Sequence, residues 1–232
     1  MKRKHTNASS DYLGTINASQ TGFWSAVVVA VFNVASSILM IVSWTTTPFS
    51  KWSGIERFAE SFSTFQMLSM LPGLVVVIAF IPMMAAIHYL APRQKQIFSS
   101  IGLIFGCIGT TLLGFQYYSQ LTSIRQSLLS GALDGLDLFV VGNANSVWWP
   151  IETLGYGFMG LATLFAAFVF SSQGCGGWIK RLFVANGVLS VAGLFAYPFS
   201  LGTSAILLGL LVWVVIFPIS VTLIAIDMLK RQ

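Results

Sequence analysis

The sequence predicts an all-α membrane protein: a single bundle of six transmembrane helices, both termini cytoplasmic, with interfacial helices on the outer side. Three observations predict it. Hydrophobic residues fill 56% of the 232 positions and charged residues only 8%, against roughly 25% charged in a soluble domain. Six apolar stretches, about 23–44, 66–90, 97–118, 150–170, 182–199 and 205–229, come near the roughly 20 residues that a helix needs to cross the hydrocarbon layer. Threaded alternately from a cytoplasmic start, they leave Lys2, Arg3, Lys4, Arg93, Lys95, Lys180, Arg181, Lys230 and Arg231 inside, and only Lys51, Arg57 and Arg125 outside. That asymmetry is the positive-inside signature. The formal charge of +5 therefore reads as topology. Basic residues in short groups beside apolar spans exclude a nucleic-acid partner.

Residues 1–22 are rich in Ser, Thr and Asn and are expected as a disordered cytoplasmic tail ahead of a single transmembrane domain at 23–232. In the first span Asn33, Ser36 and Ser37 recur at helical spacing on one face, which should pack inward. Asn33 is a candidate ligand contact, although plain interhelical hydrogen bonding accounts for such a stripe more simply. Residues 45–65 mix Lys51, Glu56, Arg57 and Glu60 with Trp52, Ile55, Phe58, Phe62 and Phe65. They predict an amphipathic helix that lies on the outer surface or caps the mouth of the bundle. The second span carries Pro72 in its first turn and Pro82 deep inside, where the ring removes a backbone bond. His88 closes that span beside Arg93 and Lys95 and reads as a solvated side chain rather than a metal ligand.

In the third span Gly102, Gly106 and Gly109 offer a neighbouring helix a close approach. Its outer end turns polar and aromatic in Gln116, Tyr117, Tyr118 and Gln120. The connection that follows has Leu121, Ile124, Leu128, Ala132 and Leu136 at the spacing of a second interfacial helix, with Arg125 as its base.

The fourth span, within SVWWPIETLGYGFMGLATLFAAFVF at 146–170, holds the most informative side chain. Trp148 and Trp149 suit a membrane interface, and Pro150 suits the start of a helix. Glu152 then falls in the first turn, where the positive helix end supports a carboxylate. It shares a face with Gly155, Tyr156, Met159 and Thr163. An acid inside a membrane span is expensive, so this face should point into the bundle. Glu152 and Tyr156 are expected near Gln116 and Tyr117, beside a cavity in the outer half, with Arg125 within reach. The glycines of the following link, SSQGCGGWIKR, lack the spacing and Lys-Ser/Thr ending of a phosphate loop. The fifth span has a small-residue stripe at Gly187, Ser190 and Gly193, and near the end of the sixth Asp227 can pair with Arg231 one turn later.

No HExxH, GxSxG or paired-carboxylate motif is present, and Glu152, His88, Asp227 and Cys107 fall at different depths, so a catalytic centre, a cofactor and a metal are not expected. Two readings stay open. In one, a small transporter or sensor binds a small cationic or lipophilic ligand through Glu152, Tyr156, Gln116, Tyr117, Asn33 and Arg125. In the other, a structural or regulatory membrane subunit uses Glu152 only to lock helices together. A lipid-modifying enzyme would have to work through Glu152 and Tyr156 alone. The lipid bilayer is the common partner, and a homo-oligomer or a partner membrane protein fits either reading. The stretches ETLGYGFMGLATLFAA and GWIKRLFVANGVLSVAGL resemble uncharacterised bacterial integral membrane proteins with several spans. The resemblance covers about two spans; it implies a multi-pass protein of the inner cell membrane, and no catalytic residue or substrate.

Overall fold

The computed structural model describes residues 3–48, 51–196, 199, 209 and 211–232, and among them there is helix and connection but no strand. The helices are α1 (Arg3–Thr46), α2 (Ile55–Ser61), α3 (Met70–Tyr89), α4 (Gln96–Ser119), α5 (Arg125–Ser130), α6 (Trp148–Ala167), α7 (Gly174–Ala196) and α8 (Phe217–Leu229). A wide π-type turn at Gln120–Ile124 runs α4 into α5, and a second at Leu211–Ile216 leads into α8. Residues 197–198, 200–208 and 210, which include parts of the expected fifth and sixth spans, lie outside the described residues, as does Lys2.

Among the described residues, five helical stretches are long and apolar enough to cross a membrane: Leu13–Thr46, Thr64–Tyr89, Arg93–Ser130, Gly174–Phe195 and Leu211–Leu229. The expected fourth span, α6, is not among them. Its first turns hold Trp148, Trp149, Pro150, Glu152 and Thr153, and its middle holds Gly155, Gly157 and Gly160, so its composition is set by contact with other helices more than by lipid. Because α6 begins at Trp148, Glu152 enters in the second turn and not the first, beyond the helix's free N–H groups.

The polar stretch expected as a disordered tail is helical from Arg3 onward, continuous with the span. Once a long apolar helix has formed, each residue added at its end contributes a hydrogen bond without a new nucleus. Packing supports the junction. Ser19 is buried, and a Cβ on Gly22 would stand 3.0 Å from the Ala86 methyl and 3.1 Å from Met228 Sδ.

The long helices are neighbours in the order α1, α3, α4, α6, α7, α8, and α8 returns to α1. Their shared core contains Phe80, Met83, Met84, Met159, Phe183, Phe217, Ile224 and Met228, all fully buried or nearly so. Glycine sets two of the seams. A Cβ on Gly109 would lie 2.7 Å from Gly155 O and 2.9 Å from Met159 N, and one on Gly102 would lie 2.9 Å from Ala162 O. Rising numbers on α4 meet falling numbers on α6, so the two helices run antiparallel with their backbones in contact. On the other side of α6, a Cβ on Gly187 would lie 2.8 Å from Gly160 O. Helix α6 is thus held closely from both sides.

The two connections expected to carry interfacial helices turn their apolar faces toward one another. Ile55 and Phe58 of α2 form a second buried cluster with Met67, Ile124, Leu128, Val140, Val141 and Trp148. Burying those faces against protein removes as much apolar surface from water as laying them on lipid would. At the other end of the long helices, Lys95 Nζ donates to Val169 O and Phe170 O at 3.1 and 3.3 Å, tying the start of α4 to the turn that follows α6. His88 Nδ1 lies 2.8 Å from Ser99 Oγ, joining α3 to α4. Arg231 pairs with Asp227 at 2.8 Å, as the spacing suggested.

Candidate functional site

The antiparallel register of α4 and α6 brings four expected residues together. Gln116 Nε2 donates to Glu152 Oε2 at 2.8 Å, and one step along the seam the hydroxyls of Tyr117 and Tyr156 stand 2.5 Å apart. Gln116 and Tyr117 are buried, whereas Glu152 and Tyr156 are half-buried. The Tyr156 ring packs on Trp213, 4.8 Å between centroids, and Trp213 packs in turn on Phe217. Glycine admits the other tyrosine: a Cβ on Gly73 of α3 would come within 3.0 Å of the Tyr117 ring and 3.5 Å of Ser36 Oγ on α1. Ser36 itself donates to Ser69 O at 2.7 Å. The cluster therefore sits where α1, α3, α4, α6 and the approach to α8 converge.

Two expected site residues do not join it. Arg125 Nε turns back to Leu121 O on its own rod at 3.0 Å, and among the described residues no ion pair links it to Glu152. The carboxylate's partner is a neutral amide. Asn33 remains on α1 with its backbone carbonyl accepting from Ser37 Oγ at 2.9 Å and its side-chain Oδ1 buried without a partner. No hydrogen bond connects it to Glu152, Tyr156, Gln116 or Tyr117.

The seam carries more polar atoms than it pairs. Gln116 Oε1, Gln120 Oε1 and Trp148 Nε1 are buried with no hydrogen-bond partner, and Glu152 offers a second oxygen beside the one that Gln116 engages. Buried polar groups are nearly always satisfied, by protein, by ordered water or by a ligand. Glu152 and Gln116 thus keep hydrogen-bond acceptors without partners at this end of the α4–α6 seam, beside the packed rings of Tyr156 and Trp213.

Gln120, named in the sequence, and two residues that the sequence reading passed over, Asn143 and Asn186, tie neighbouring segments together. Gln120 Nε2 donates to Phe139 O at 2.8 Å and ties the 131–147 connection to the rod. Asn143 holds that connection in shape, donating to Asp137 O at 2.8 Å while its own carbonyl accepts from Trp149 Nε1 at 3.0 Å. Farther along α6, buried Asn186 Nδ2 donates to Thr163 Oγ1 at 2.9 Å. An asparagine in an apolar span was a signal available for Asn186; nothing local marks Asn143.

Two cavities, about 350 and 280 Å³, lie at the other end of the long helices. Ser172, Gln173, Trp178 and Arg181 line the first; Lys95, Phe170, Asp227 and Arg231 are among the residues lining the second. Neither is lined by Glu152, Tyr156, Gln116 or Tyr117. The chain matches no protein-family model and shows no similarity to a curated protein or to a solved structure.

Proposed function

We propose that this is a multi-pass protein of the cell membrane, with α6 as a sixth crossing and both termini cytoplasmic. Its α4–α6 polar cluster binds or transports a small ligand carrying an amine or another strong hydrogen-bond donor. The surplus of acceptors beside Glu152 carries this reading: a carboxylate with one oxygen unpaired, next to the unpaired Gln116 Oε1, in a helix flanked by apolar spans. Inside a bilayer such groups are costly and mark binding or transport paths by default. The crossing of α6 is supported by its length and by its close packing between α4 and α7, and the orientation by the distribution of basic residues.

Orientation is checked by cysteine accessibility. A thiol at Ser127 is expected to react with an impermeant maleimide added outside intact cells, and one at Ser172 only after the membrane is opened. The reverse pattern overturns the topology.

Ligand binding is checked with Glu152→Gln, which keeps the shape and the bond to Gln116 but removes the charge. Across a panel of primary and quaternary amines, any compound that protects the solubilised wild type against heat should bind this variant about 10- to 100-fold more weakly, the loss expected for a charge-assisted hydrogen bond. The variant itself should stay folded. A second reading, a structural subunit in which Gln116 and Glu152 lock α4 to α6, is favoured by the direct bond and by the burial of Gln116. If Glu152→Gln and Glu152→Ala unfold the protein alike, that second reading replaces the first.

A further inference from the structure

The cavity of about 280 Å³ at the end remote from Glu152 is built differently from the acceptor-rich seam. It opens where the C-terminal ends of α3, α6 and α8 meet the start of α4 and of α7. Ile87, Leu90 and Met228 give it an apolar wall; Lys95 and Arg231 give it two cations. We infer that this cleft holds the phosphate headgroup of an anionic membrane lipid.

Depth is the first reason. From Lys95 to Gln116 along α4, at about 1.5 Å per residue, the rise is roughly 30 Å, close to the thickness of the hydrocarbon layer. A cleft at Lys95 therefore lies at the opposite interface from the Glu152 cluster, at the level of lipid headgroups. The adjoining surface carries exposed Trp178 with Arg181 stacked over its ring at 5.3 Å, an arrangement suited to that interface.

Donor capacity is the second. Lys95 uses its ammonium on the carbonyls of Val169 and Phe170 and keeps one N–H. Arg231 gives Nε and Nη2 to one oxygen of Asp227 and keeps its remaining N–H groups. Both cations are thus held in place with donors to spare. The wall contains one carboxylate, Asp227, already engaged by Arg231, so the cleft stays net positive and favours an anion on the Lys95 side.

Size and surface are the third. The volume is at the lower end of ligand pockets, enough for a phosphodiester headgroup and not for acyl chains. Those chains would remain in the bilayer against the exposed apolar faces of the helices. Basic pockets between membrane helices recognise anionic headgroups by this combination of charge and depth.

The full-length protein in non-ionic detergent tests it. Short-chain phosphatidylglycerol, phosphatidylcholine of the same chain length and glycerol 3-phosphate are titrated separately, and thermal stabilisation reports binding. Phosphatidylglycerol is expected to bind at least roughly fivefold more tightly than phosphatidylcholine, and Arg231→Gln to remove roughly fivefold in its affinity, as expected for one interfacial cation. Lys95→Gln should weaken it similarly. Because Lys95 also holds the turn after α6, Lys95→Arg is made alongside and should restore binding. Arg181→Gln, outside the cleft, and Glu152→Gln, at the far end, should leave it unchanged. Equal binding of the two lipids overturns the proposal. So does an Arg181→Gln loss as large as that of Arg231→Gln, which would show diffuse surface attraction. Glycerol 3-phosphate binding as tightly as phosphatidylglycerol would assign the cleft to a soluble phosphate compound and overturn the lipid assignment.

Discussion

Replacing Gly109 with alanine is expected to lower the midpoint of thermal unfolding of the solubilised protein by about 2–12 °C, from an overpacking cost of about 1–3 kcal/mol. The new methyl would stand 2.7 Å from Gly155 O and 2.9 Å from Met159 N. Both are backbone atoms of α6 and cannot rotate away, so the helices must part. Gly114, about a turn farther along α4, is the internal control: its nearest neighbour would be Val77 Cγ2 at 3.7 Å, an ordinary contact. Gly114→Ala should therefore leave the midpoint unchanged or raise it slightly, since alanine is the better helix former. Equal effects at the two positions would disprove the close seam. Parting α4 from α6 also strains the bond between Gln116 and Glu152, so Gly109→Ala should weaken any ligand that the cluster binds.

Gln116→Leu is expected to destabilise the protein by about 2–3 kcal/mol, because it strips Glu152 of its hydrogen-bond donor while leaving the carboxyl group in place. Adding Glu152→Leu should recover most of that loss. Removing both partners of a buried bond in favour of apolar groups of similar size is close to neutral, whereas orphaning one of them is not. Comparing the double variant with the two singles isolates the coupling between the residues. A double variant as unstable as the sum of the singles would show that the two side chains do not depend on each other, contrary to their 2.8 Å separation. The same double variant should bind no amine even when fully folded, which separates the role of the pair in stability from its role in recognition.

The helical character of the chain and the face on which its polar residues lie were legible in the sequence. Both follow from local periodicity: apolar runs of span length, and Glu152 and Tyr156 one turn apart on the side shared with Gly155 and Met159. The same logic placed Gln116 and Tyr117 at the matching level of the preceding long helix. The glycines of α4 announced a close neighbour without saying which helix it would be.

Which donor would reach the carboxylate was decided only by the tertiary structure. Gln116, Tyr117 and Arg125 were all candidates at that level. The register that the glycine contacts impose on α4 and α6 puts Gln116 opposite Glu152, while Arg125 folds back on Leu121. Asn33 falls on α1, which packs chiefly on α3 and α8, a matter of neighbour order that no single helix encodes. The connections at 45–65 and 121–147 show the same limit: an amphipathic face reads alike whether lipid or protein will cover it, and only the meeting of Phe58, Ile124, Val140 and Trp148 in one cluster chose protein. The sequence by itself determined how each segment folds and which side is polar, because those depend on residues within a few turns. The pairing across segments rests on backbone contacts between residues dozens of positions apart, and these exist only once the helices have packed.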